Sequence, residues 1–155
     1  MKKSSGQKKL DALNEIFMQP EISEFIGNKR EFKKRSMAFL RQLLKDVGQY
    51  LSDQLEEPGI AESKVSFNPG GPAIAGDPSL FFITRWGNGV AVYICGGRYC
   101  GLDPIMYRTI KSMKDYTGGN NQWQSANVPY DEIVRTIALC AHKYVEKMPP
   151  ESIPA

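Results

Sequence analysis

Five cations fall within seven positions, Lys29, Arg30, Lys33, Lys34 and Arg35. A second set interleaves bases with aromatics: Arg85, Trp86, Tyr107, Arg108, Lys111, Lys114, Tyr116 and Trp123. Lys and Arg neutralise phosphates, and flat aromatic rings stack on bases. The chemistry offered is nucleic-acid binding. In that reading Lys29, Arg30, Lys33, Lys34 and Arg35 contact phosphates, helped by Arg108, Lys111 and Lys114, while Trp86 and Trp123 stack. Asn120, Asn121 and Gln122 suit polar contacts to bases or backbone. The sequence pI of about 8.7 is modest, and no nucleic-acid motif is present. Cations that only keep a surface solvated are the competing explanation.

The charge is segregated. Residues 1–45 carry eleven Lys/Arg against five Asp/Glu, and residues 46–62 carry five acids and no base. On a helix over 29–57 this puts cations at the N-terminal end and acids at the C-terminal end, against the helix dipole. Helix stability alone does not select that order. It suits an acidic partner, pairing with charges elsewhere in the fold, or an antiparallel self-association of the helix.

Other chemistry is thinner. Cys95, Cys100, Cys140 and His142 are the soft metal ligands. Cys140 and His142 stand two apart on a predicted helix, about 200° round, so they point to opposite sides and no metal is expected. The chain has one histidine, no Gly-x-Ser-x-Gly elbow and no cysteine with an evident base. The loop at 68–78 is glycine-rich but lacks the Gly-Lys-Ser/Thr of a phosphate cradle. No cofactor is implied. An enzyme is the third reading, with a site at Gly118 and Gly119 flanked by Asp115 and Tyr116.

Elements must hold these groups. Ser79–Trp86 and Val90–Cys95 are rich in β-branched and aromatic residues around Gly87-Asn88-Gly89, which predicts a hairpin. A two-residue turn, centred on 87–88 or 88–89, places Phe81, Ile83, Val90, Val92 and Ile94 on a core face. It places Leu80, Phe82, Thr84, Trp86, Ala91, Tyr93 and Cys95 on a mixed face, which another element, a partner chain or a ligand must cover. Apolar spacing predicts helices over 7–19 and 29–57, and a last helix opened by residues 128–132 and ending near Lys147. Residues 64–67 read as a strand. Residues 105–111 show both a helical stripe and strand alternation, and a third antiparallel neighbour favours strand. A short strand is expected near Trp123.

The expected fold is α+β: a central antiparallel meander built on the 79–95 hairpin, with a long N-terminal helix and a C-terminal helix packed on it. One domain over 1–155 is expected, with 1–6 and 148–155 as loose tails. With no export signal and no long apolar run, the expected compartment is the cytoplasm, away from membranes. The favoured function is non-catalytic binding of nucleic acid. The alternative is a protein-interaction module or homodimer using the aromatic hairpin face.

Overall fold

A computed structural model describes residues 3–17, 29–67, 78–95, 103–115 and 119–146. The expected α+β architecture is present: the described residues form three helices against a five-stranded antiparallel meander. The helices are α1 (Ser5–Phe17), α2 (Lys29–Gln54) and α3 (Tyr130–Glu146). The strands are β1 (Ile60–Phe67), β2 (Pro78–Thr84), β3 (Gly89–Ile94), β4 (Ile105–Ile110) and β5 (Gln122–Gln124), paired in chain order. The strand alternation of 105–110 prevails over its helical stripe. β1 runs four residues further back than its apolar end suggests, because Ile60, Glu62 and Ser63 pair with β2 although two of the three are polar.

The hairpin loop is one residue longer than expected and lies earlier in the chain, and the difference matters. Thr84 N–H donates to Asn88 O at 2.8 Å, and Gly87 N–H to Thr84 O at 2.8 Å. The loop therefore has three residues, Arg85, Trp86 and Gly87. Gly87 takes the left-handed conformation (φ 89°) that closes such a loop. Phe82 then pairs Val90, and Leu80 pairs Val92. An odd shift in register exchanges the faces of one strand relative to the other. Leu80 and Phe82 join Val90, Val92, Ile94 and Ile105 beneath the helices. Phe81 and Ile83, expected in that core, lie on the opposite side with Ala91 and Tyr93.

All three helices contribute to the same cluster on one face. The buried stripe of α2 (Phe32, Ser36, Phe39, Leu40, Leu43, Val47, Leu51) follows three- and four-residue spacing. Tyr130 meets Phe39, and His142 meets Glu57, so α2 and α3 run parallel over the sheet. α1 packs mainly on α2, antiparallel to it, as Ser5–Gln42 and Arg35–Glu15 contacts show.

Helix α1 starts at Ser5, inside the stretch expected to be loose. Gln7 N–H donates to Ser4 Oγ at 3.1 Å, an N-cap. Gly6 is buried, and a Cβ there would overlap the Tyr130 ring. Propensity alone predicts that Gly6→Ala strengthens α1 by about 1 kcal/mol. The packing predicts the reverse: a net loss of about 1–3 kcal/mol from overpacking, read as a lower urea midpoint. An unchanged or raised midpoint would mean that Tyr130 yields freely.

Candidate functional site

The sheet separates the residues that the sequence grouped. α2 lies on the helix face, whereas β4 and β5 turn Arg108 and Trp123 to the back face. Met106 pairs Trp123, so the two share a face, and Arg108 stands two residues on from Met106. Arg108 and Trp123 are diagonal cross-strand neighbours on the back face. Lys111 and Lys114 are exposed in the turn after β4, closed by Lys111 N–H donating to Asp115 O at 2.9 Å. Trp86 is half-buried in the β2–β3 loop, at the same end of the sheet as that turn.

The α2 cations meet different fates. Arg35 Nη1 donates to Ala12 O at 2.8 Å and to Glu15 Oε2 at 2.9 Å, and its Nε donates to Glu31 Oε2 at 3.1 Å. These carboxylates raise the guanidinium pKa, with the Glu15 hydrogen bond the largest cause. Arg35 fastens α1 to α2 and is not placed to meet a phosphate. Lys33 Nζ sits 4.8 Å from the centre of the Phe67 ring, a cation–π contact to the end of β1. Arg30 and Lys34 are exposed, and Lys29 opens the helix. This cluster therefore stands across the sheet from Arg108 and Trp123. One flat ligand cannot meet both.

Arg108 is the most constructed of the ten residues. Its Nη2 donates to Gly119 O at 2.5 Å, and its Nη1 to Asn121 Oδ1 at 3.1 Å. Both acceptors are neutral. Among the described residues, no carboxylate lies within ion-pair distance of it. Its Nε is buried without a hydrogen-bond partner. The result is a fixed, half-buried guanidinium whose charge no acid among the described residues offsets. Trp123 beside it is 43% exposed, and among the described residues it is the exposed large hydrophobic side chain.

The rest of the back face is more closed. Phe81, Ala91 and Ile110 are buried there, with Ile83, Tyr93 and Met113 around them. Phe81 and Tyr93 meet edge to face at 5.7 Å between ring centres. The aromatic hairpin face is thus packed at its centre and open toward β4 and β5.

Two further features bear on what binds elsewhere. A groove of about 340 Å³ runs between the starts of α1 and α3 and the middle of α2, lined by Asp46, Asp53, Asp131, Tyr50 and Tyr130 among others. Among the described residues no Lys or Arg lines it, and its three aspartates disfavour phosphate. Tyr130 O–H donates to Asp46 Oδ2 there at 2.6 Å. Burial first, then Asp46 and Asp131, push the phenol pKa far above its ordinary 10.0. The unfolded chain ionises Tyr130 near pH 10 while the folded chain does not. Its stabilising effect is complete below about pH 10 and is lost as pH rises above it, with a slope approaching about 1.4 kcal/mol per pH unit. Urea unfolding at pH 9, 10 and 11 is expected to fall less steeply in Tyr130→Phe than in the wild type. Equal slopes would contradict the shift.

The second feature is a buried acid–imidazole pair. His142 Nδ1 lies 2.7 Å from Glu57 Oε1, and the Glu57 side chain is wholly buried. Nothing local points to it, since 85 residues separate the two. The third reading places an enzyme site at Gly118 and Gly119. Gly119 packs its backbone against Thr109 and turns its carbonyl to Arg108. Tyr116 and Gly118 lie outside the described residues, as does Cys100. Among the described residues no helix is long and apolar enough to cross a membrane, and no cluster of three or more His, Cys, Asp or Glu could hold a metal ion.

Searches with this chain found no matching family model, curated protein or solved structure.

Proposed function

We propose that the protein is a non-catalytic module that binds single-stranded nucleic acid on the back face of its sheet, along β4 and β5. Arg108 carries the reading: a guanidinium held by neutral acceptors, with no described acid to offset it, beside an exposed tryptophan. A phosphate supplies the missing negative charge, and a base supplies the face for Trp123 to stack on. Lys111 and Lys114 extend the positive strip beyond β4, and Asn121, which already orients Arg108, borders it. The site is narrower than charge and composition suggest, because Lys29, Arg30, Lys33, Lys34 and Arg35 stand on or toward the other face. A single strand fits a sheet surface of this kind, where bases lie flat and the backbone follows the cations.

The test is a titration with mixed-sequence single-stranded RNA and DNA. Trp86→Phe isolates the fluorescence of Trp123, and gel mobility serves as a second readout. Quenching is expected. The logarithm of the affinity should fall against the logarithm of salt with a slope of about −2, for three phosphates met by Arg108, Lys111 and Lys114. Neither quenching nor a mobility shift at low salt would rule the reading out.

A further inference from the structure

The two edges of the sheet are unlike. β5 is three residues long, but β1 presents eight residues of which one side is unpaired among the described residues. Ala61, Glu62, Ser63 and Lys64 in its middle are exposed. An open edge of this length is a template for another strand, and proteins commonly blunt it with a charge, a bulge or a cover. β1 has a bulge only at its start, between Ile60 and Glu62. Its two charges are of opposite sign and two residues apart, so both point to the back face.

We propose that this edge pairs with β1 of a second copy of the chain, antiparallel, about a two-fold axis through Ser63. The argument is charge complementarity. With the axis at Ser63, Glu62 of each copy lies directly opposite Lys64 of the other, giving two symmetric ion pairs. An axis one residue earlier sets Glu62 against Glu62, and one residue later sets Lys64 against Lys64. Directly opposed like charges in an antiparallel pair are destabilising. On the helix side the same axis brings Ser63 against Ser63 and Ala61 against Val65. Ala61 and Ser63 also floor an open groove between α2 and β1 of about 390 Å³, walled by Leu44, Lys45 and Gly48. Small residues at the centre of the edge let a second backbone approach, and the groove has room for the partner's Val65. The pairing would make one continuous ten-stranded sheet. It is independent of the nucleic-acid reading, whose residues lie on β4 and β5 at the far side of the sheet.

Sedimentation of the purified full chain, with circular dichroism to check folding, tests this. The wild type is expected to be a dimer at about 100 µM. Glu62→Lys and Lys64→Glu should each weaken dimerisation at least about tenfold, because each creates two like-charge pairs by symmetry. The double exchange Glu62→Lys/Lys64→Glu should restore it. Ser63→Cys should form a disulfide-linked dimer under mild oxidation beyond any wild-type background, because residues directly opposite in an antiparallel pair fall within bridging distance. Val65→Cys should not. A monomeric wild type at that concentration, single exchanges that remain dimeric, or cross-linking at Val65 instead of Ser63 would each overturn the proposal.

Discussion

His142→Ala is expected to lower the unfolding free energy by about 1–3 kcal/mol, the cost of leaving a buried side-chain oxygen without its hydrogen-bond partner. The Glu57 side chain has no exposure, its Oε1 lies 2.7 Å from His142 Nδ1, and its Oε2 is buried without a partner. The backbone commits Glu57 to this position. Glu56 adopts a left-handed conformation (φ 56°), and Glu57 N–H turns back to donate to Leu51 O at 2.9 Å. Urea unfolding at pH 7 reads the effect, with an unchanged slope against urea showing that the native state is otherwise intact. Replacing both partners, as Glu57→Leu/His142→Leu, is expected to recover much of the loss, because two apolar groups need no pairing. A loss below about 1 kcal/mol for His142→Ala would mean that water reaches Glu57 and that the pair does not hold α2 to α3.

The contrast between what was legible and what was not follows from the range of each interaction. Helices could be read because their apolar stripes repeat locally: Leu10, Leu13 and Ile16 in α1, and Phe39, Leu43, Val47 and Leu51 in α2, are all buried. The alternation of Ile105, Tyr107 and Thr109 likewise gave β4. The hairpin was legible, but its register was not. Gly-Asn-Gly suits a two-residue turn, but the loop that forms is Arg85, Trp86 and Gly87, and the odd shift in pairing moved Phe81 and Ile83 off the core face. The segregated charges were visible as a pattern but not as partners. Arg35 finds Glu15 on another helix, and Glu57 finds His142 on a third. Arg35 lies near the start of α2 and Glu57 just past its end, and the local sequence shows the unfavourable charge order but not these partners. Arg108 and Trp123 were picked for their types. What sets them apart, neutral acceptors at Gly119 and Asn121 and a shared face across β4 and β5, depends on strand pairing.

That shared face supports the second large effect. Arg108→Glu is expected to weaken single-strand binding by about ten- to a hundredfold at moderate salt. This corresponds to about 1.5–3 kcal/mol for a lost hydrogen bond to a charged group. Reversal also adds repulsion of the phosphate, so the upper end is favoured. Arg108 reaches Gly119 and Asn121 through side-chain bonds on a half-buried surface, so its loss should loosen the loop before β5 without unmaking the helix-side core. Trp123→Ala removes the stacking ring and should weaken binding about ten- to a hundredfold as well, from about 1–3 kcal/mol per stacked base. The two act by different physics, and salt separates them. Arg108→Glu should make the salt slope shallower by about 0.7 for the phosphate no longer neutralised, whereas Trp123→Ala should leave the slope unchanged. Because the two are diagonal neighbours, their combined effect need not be the sum, and the difference measures their coupling. Lys34→Glu is the control on the opposite side of the sheet. If it weakened binding as much as Arg108→Glu, the ligand would follow α2 rather than β4 and β5, and the back-face site would be wrong.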